Sequence, residues 1–251
     1  MESEAAVKSR SKKEKRNKRK RNFDQQNNRL DIMKIAPLNE SQKLTFEAFE
    51  SGAELLFLYG SAGTGKTFLA LYLSLTEALE KNTKRKVVIV RSAVPSRDMG
   101  FMPGTEREKA RLYETPYSAI CTELFDRQDA YETLKKSGKI EFVTTSYLRG
   151  LTVRDSVVLV DETQNMSFSE LSTIMTRLGE NSRIIFCGDG AQTDWMPSGQ
   201  CSGLNRFKKI IERMKETKLV SFTSKDIVRS GIVRSYIEAE NQNNLENDSK
   251  I

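Results

Sequence analysis

Residues 60–67 read Gly-Ser-Ala-Gly-Thr-Gly-Lys-Thr, a full match to the spacing G-x-x-x-x-G-K-[ST]. Glycines let the backbone turn its N–H groups inward, so that they can surround phosphate oxygens. Lys66 would then reach the terminal phosphates of a nucleoside triphosphate, and the Thr67 hydroxyl would bind a magnesium ion bridging phosphate oxygens. The expected phosphate-binding set is Gly60, Ser61, Ala62, Gly63, Thr64, Gly65, Lys66 and Thr67. A glycine-rich turn that merely precedes a helix is the plain alternative. It is disfavoured because the apolar run before the loop and the helical pattern after it both stand in register.

Two further strand ends carry polar groups. Val157-Val-Leu-Val-Asp161-Glu162 is an apolar run delivering two acids to its tip. Asp161 would serve the magnesium opposite Thr67. Glu162, pointing the other way along the pleat, would polarise a water in line with the γ-phosphate. The alternative is an exposed turn with Asp161 as a helix cap. Ile184-Ile-Phe-Cys-Gly-Asp-Gly-Ala-Gln192 ends in a second polar cluster. Gln192 could contact the γ-phosphate or the attacking water, although on spacing alone an ordinary turn explains Gly-Asp-Gly better.

Composition narrows the chemistry. The 251 residues contain no histidine, which excludes Ser-His-Asp and Cys-His chemistry and any imidazole metal site. Cys121, Cys187 and Cys201 have no C-x-x-C spacing and read as reduced thiols. No apolar run reaches the ~18 residues of a membrane span, and no signal peptide is visible, so a cytoplasmic location is expected. The net charge of +7 is local: ten Lys/Arg and one acid, Glu14, lie between Lys8 and Arg21, leaving the remainder at −2.

The elements that must position these groups alternate in type. The sequence predicts a helix over 39–50, a strand over 54–59, a helix over 67–81 and a strand over 86–91. After a loop at 92–105, helical patterns run from about 106 to 137. Strands follow at 140–145, 156–162 and 182–189, with a helix at 168–177 between the last two. A helix at 203–215, a strand at 219–223 and a helix at 227–239 close the body. Continuous Val/Ile/Leu strands alternating with helices indicate an α/β fold, a parallel sheet with helices on both faces. Ligands in such sheets bind at the C-terminal edge of the strands, where all three polar clusters fall. The expected organisation is a disordered basic tail at 1–35, one domain at 36–240 and a polar tail at 241–251.

In this order, GSAGTGKT, VDETQN, TRLG, CGDGAQTD and DIVRS, with GFMPGTEREKARLY in the middle, resemble the PhoH-like family of P-loop ATPases, related to superfamily 1 helicases. The family occurs in bacteria and in many tailed bacteriophages, so a phage origin and the host cytoplasm are within its range. The resemblance covers about residues 36–240. It implies a P-loop NTPase fold with a RecA-like core in a single domain, and ATP and Mg2+ as the ligands. It assigns Gly60, Gly63, Gly65, Lys66 and Thr67 to phosphates and magnesium, and Asp161 and Glu162 to the metal and the water. Gln192 becomes the γ-phosphate sensor, against the odds from spacing. Gln42, 18 residues before Gly60, is similar in position to the adenine-reading glutamine of helicases. It reads equally well as a surface glutamine on an amphipathic helix. Leu112 stands where the family usually has proline, and Thr163 replaces the usual alanine; neither is a proposed ligand.

Phosphoryl transfer also calls for positive charge on the γ-phosphate. Arg177, Arg229 and Arg234 are candidates, Arg229 in DIVRS matching the family pattern best; each reads also as a helix-surface charge. The chain has no room for the second RecA-like domain that supplies such arginines in superfamily 1 helicases. A neighbouring subunit in a head-to-tail homo-oligomer would then do so, and the resemblance suggests a hexameric ring. The basic tail should bind polyanions, RNA or single-stranded DNA, with steep salt dependence, or is simply a soluble extension. The expectation is a Mg-dependent ATP hydrolase coupled to RNA or single-stranded DNA as a helicase or translocase. Its rival is a nucleotide-dependent switch that holds nucleic acid or a protein without unwinding. A small-molecule kinase fits Glu162 and Gln192 less well.

Overall fold

The computed structural model describes residues 30–81, 83–92, 106–189, 203–237 and 239. Within them the chain runs α1 (Glu40–Glu50), β1 (Leu55–Gly60), α2 (Lys66–Leu79), β2 (Lys86–Arg91), α3 (Glu106–Phe125), α4 (Ala130–Lys136), β3 (Ile140–Thr144) and β4 (Ser156–Val160). A 3-10 turn (Thr163–Asn165) leads to α5 (Phe168–Thr176), β5 (Arg183–Gly188), α6 (Gly203–Ile211) and β6 (Thr217–Phe222). A second 3-10 turn (Ser224–Asp226) and a helix at 231–237, α7, follow.

The six strands form one sheet in the order β3-β2-β4-β5-β1-β6, and every pairing is parallel. Parallel strands need crossovers, and the helices of those crossovers cover both faces. Strand residues therefore divide by parity. Leu56, Leu58, Ile89, Leu159 and Ile185 share one core with α1, α2, α3 and α4. Leu55, Phe57, Val88, Val160 and Phe186 face α5 and α6. Both faces of β4 are dry, all five of its residues being buried. The expected α/β class, with helices on both faces, is the one observed.

Strand order decides what meets at the C-terminal edge. β5 lies between β1, which ends in the glycine-rich loop, and β4, which ends in the acids. Tyr59 pairs with Gly188, and Val160 with Phe186, so the three tips stand side by side. The edge is stitched further out by Glu170 of α5. Its carboxylate accepts from Ser92 Oγ at 3.0 Å, Thr145 Oγ1 at 2.7 Å and the Ser167 N–H at 2.9 Å. Those bonds tie the ends of β2 and β3 to the start of α5.

Several expected boundaries move. The helical stretch 106–137 is two helices, broken at 126–129, where Asp126 takes φ 49° and Arg127 forks onto Asp129. α6 stops at Ile211, short of 215. The last helix begins at 231, not 227: Asp226 and Thr223 form a capping box around the second 3-10 turn, and 227–230 run on to the glycine-rich loop, where the Val228 N–H donates to Gly63 O at 3.0 Å. Residues before 36 also pack on the core. Leu30, Ile32 and Ile35 pack against the α1–α4 core, and the Met33 N–H donates to Leu124 O at 2.8 Å. These three apolar side chains sit within an otherwise polar stretch, which is why composition alone assigned them to the tail. The rest of the basic tail, residues 1–29, and the polar tail lie outside the described residues. No described helix is long and apolar enough to cross a membrane.

Candidate nucleotide site

The loop is built by glycine geometry. Gly60, Gly63 and Gly65 take φ of 123°, 72° and 85°. A Cβ on Gly60 would sit 1.9 Å from the Phe222 carbonyl oxygen, so β6 admits only glycine there. The Ser61 N–H donates to that same oxygen at 3.0 Å, which anchors the loop at its entry. Gly65 is the N-cap of α2 and has no side chain to cover the first-turn N–H groups, which leaves a helix terminus suited to an anion. Lys66 lies within this cradle. Its Nζ donates to Gly60 O and Ser61 O, both at 2.7 Å. Burial pulls its pKa down, against the charges of Asp189, Cys187, Asp161 and Glu162.

The acids arrive from β4. Asp161 is buried, and both of its oxygens have donors: Thr67 Oγ1 at 2.8 Å to Oδ1, and the Tyr117 hydroxyl at 2.9 Å to Oδ2. A hydroxyl and a carboxylate from two different elements are the hard-oxygen pair that magnesium uses beside nucleotide phosphates, and among the described residues no larger cage of acids or cysteines competes with it. The donor set therefore fits Mg2+. Glu162 does not continue the pleat as expected. Its backbone is left-handed, φ 55° and ψ 43°, and that turn reorients its carboxylate. Burial raises the Glu162 pKa, as does the charge of Asp161; Arg91, a hydrogen bond from Gln164 and Lys66 oppose the rise. A raised pKa makes the ionised carboxylate a stronger base toward a water proton.

Three participants escaped the sequence reading. Tyr117, wholly buried on α3, has the helical spacing of a core residue, and only the tertiary contact shows its hydroxyl on Asp161. Arg91, at the end of β2, lies 5.5 Å from the Tyr113 ring centroid, and its charge acts on both Glu162 and Tyr117. Gln164 belongs to the VDETQN run but was given no role; its amide donates to Glu162 Oε2 at 2.7 Å.

The other expected residues divide. Gln42 is buried beside the loop, where its amide donates to Thr64 O at 3.2 Å and accepts from the Leu38 N–H at 2.8 Å. It is no surface glutamine, and one N–H and one lone pair remain for a base. Arg229 is exposed, with its Cγ 3.1 Å from where a Cβ on Gly63 would lie, so it stands over its own chain's loop. Arg234 donates to Lys225 O at 3.2 Å. Arg177 is not brought to the loop. α5 carries the chain back across the sheet, and the Arg177 carbonyl accepts from the Val153 N–H near the start of β4, at the opposite edge. Gln192 and the expected loop at 93–105 lie outside the described residues.

A glycine-rich loop between strand and helix, an acid-tipped strand one position removed in a parallel sheet, and a Thr–carboxylate pair across the gap define a P-loop NTPase with a RecA-like core. The model of the family described as PhoH-like protein matches residues 34–241, so the chain belongs to the PhoH-like family. It is 35% identical over 193 residues to a PhoH-like protein of Bacillus subtilis, covering 76% of this chain and 59% of that one. It is 33% identical over 210 residues to Protein PhoH of Escherichia coli K12, covering 83% and 59%. The chain thus spans about three fifths of these relatives' length. Among solved structures, a Pif1 helicase from Candida albicans aligns over 75% of this chain and 41% of its own, at 17% identity and a TM-score of 0.33, a score that bears on neither fold nor activity.

Proposed function

We propose that this protein is a Mg2+-dependent ATPase whose hydrolysis is coupled to RNA or single-stranded DNA. The observation that carries the ATPase half is the 2.8 Å bond joining Thr67 of the phosphate loop to Asp161 of β4, with Lys66 and Glu162 beside it. In this reading the loop amides and Lys66 hold the phosphates. Thr67 and Asp161 would hold magnesium, which neutralises charge on the phosphate oxygens. Glu162 accepts a proton from the attacking water. Gln42 reads the adenine with its remaining N–H and lone pair, and Gln192 senses the γ-phosphate.

The nucleic-acid half draws on the basic run at 8–21, which can neutralise phosphates by counterion release. Head-to-tail assembly with further copies, in a hexameric ring, would supply each site with a neighbour's arginine. Arg229 stands over its own loop and would act within its own subunit, so Arg234 is the arginine to test as a neighbour's. Steady-state ATP hydrolysis, measured with and without RNA, single-stranded DNA and duplex, decides the reading. We expect Mg-dependent turnover stimulated by single strands and abolished in Lys66→Ala. A slow rate indifferent to every polymer would favour a nucleotide switch that holds nucleic acid or a protein partner without unwinding. A monomer in sedimentation with full, concentration-independent turnover would exclude the ring.

A further inference from the structure

We propose that Gln164 is a positioning residue that couples the tip of β5 to the Glu162 carboxylate. This rests on the reading of Glu162 as the group that activates water. A primary amide has a donor end and an acceptor end, and Gln164 uses each on a different partner. Its Nε2 donates to Glu162 Oε2 at 2.7 Å, and its Oε1 accepts from the Asp189 backbone N–H at 3.1 Å. The residue is 8% exposed, so water does not readily replace either bond.

The backbone around it has no slack. The left-handed Glu162 starts a 3-10 turn closed by Asn165 N–H to Glu162 O at 3.0 Å and Met166 N–H to Thr163 O at 3.1 Å. That turn presses on the tip of β5: a Cβ added to Gly188 would lie 2.1 Å from Thr163 Oγ1. Turn and strand tip therefore touch by shape, and Gln164 adds the directional link. Gly188 pairs with Tyr59, one residue before the phosphate loop, so the strand tip adjoins that loop. A displacement of that tip passes through one side chain to the carboxylate.

The side-chain chemistry separates the two halves of the link. Leucine at 164 keeps the bulk and loses both bonds. Glutamate keeps an acceptor for the Asp189 N–H but turns lone pairs toward Glu162. The experiment uses the full chain and compares Gln164→Leu, Gln164→Glu and Glu162→Gln by ATP turnover, binding of a fluorescent ATP analogue with Mg2+, and hydrogen–deuterium exchange of the peptide containing Asp189. Misplacing a reacting group by about 1 Å can cost ~100-fold, so both Gln164 variants should lose about 10- to 100-fold in kcat. Analogue affinity should stay within about twofold, because binding does not use the carboxylate's aim. Exchange at Asp189 should accelerate in Gln164→Leu and stay near the parent in Gln164→Glu.

Parental kcat in either Gln164 variant, with Glu162→Gln inactive, overturns the positioning role and leaves the role of Glu162 standing. A matched loss of turnover, affinity and melting temperature in both variants marks Gln164 as structural filler and also overturns it. If Gln164→Leu fails to fold, Gln164→Glu decides by the same criteria. Normal turnover in Glu162→Gln, or none in the parent, removes the water-activating reading and the proposal with it.

Discussion

Tyr117→Phe tests the acidic half of the site without touching any group proposed to bind nucleotide. The Tyr117 hydroxyl is fully buried and donates 2.9 Å to Asp161 Oδ2, leaving Thr67 as the other donor to that carboxylate. A hydrogen bond to a charged group contributes about 1.5–3 kcal/mol, and the freed Oδ2 remains buried without a replacement. For a domain of this size about 1 kcal/mol corresponds to ~2–4 °C, so melting should fall by about 3–12 °C. The second effect is on magnesium. Tyr117 orients a proposed ligand rather than serving as one, and loss of such partners typically costs about 10- to 100-fold in metal affinity. The Mg2+ concentration for half-maximal turnover should rise by that factor, while kcat at saturating Mg2+ stays close to the parent. Differential scanning fluorimetry and a Mg2+ titration of ATP hydrolysis measure both. An unchanged Mg2+ requirement together with an unchanged melting temperature would refute the claim that this hydroxyl holds the carboxylate.

Three further predictions follow from the same geometry. Folding raises the Glu162 pKa, so above that value the folded protein holds a charge at a cost, which disappears as pH falls below the unfolded value. Glu162→Gln should therefore be inactive yet more stable than the parent in urea at neutral pH, with the advantage shrinking on acidification; in the parent, turnover should fail on the acid side above the pH where exposed carboxylates protonate. Gly188→Ala should destabilise by about 1–3 kcal/mol through its clash with Thr163 Oγ1, whereas Gly188→Ala with Thr163→Ala should recover most of that, because the next contact is 3.4 Å away; equal urea midpoints for the single and double variants would contradict it. Deleting residues 1–21 should weaken RNA and single-strand binding and flatten its salt dependence, by up to about 7 in log–log slope if all ten charges engage; an unchanged slope in fluorescence anisotropy would remove the tail from binding.

Much of the fold was legible because parallel sheets write themselves plainly. Runs such as Val157–Val160 and Ile184–Phe186 are short, apolar on both faces and rich in β-branched residues, which suits a strand covered by helices on each side. Boundaries were less legible where a side chain or a tertiary contact, rather than periodicity, ends an element. The 126–129 break depends on Asp126 and the Arg127–Asp129 fork, and the delayed start of α7 depends on the reach of Val228 to Gly63. Leu30, Ile32 and Ile35 were hidden for the opposite reason: three apolar residues in a polar stretch carry no period until a surface receives them.

By itself the sequence determined the chemistry at each strand tip. Three glycines, a lysine and a threonine have the spacing of a phosphate-cradling loop, and a chain without histidine leaves proton transfer to carboxylates, lysine, tyrosine or cysteine. Only the tertiary structure decided which tips become neighbours. The strand order puts β5 between β1 and β4, brings Tyr117 from a core-facing helix onto Asp161, turns Glu162 through a left-handed backbone, and carries Arg177 away to the far edge. The physical reason is range. Loop geometry and strand polarity are local properties of a few residues, whereas a 2.8 Å bond between positions 67 and 161 exists only after the sheet has assembled around both.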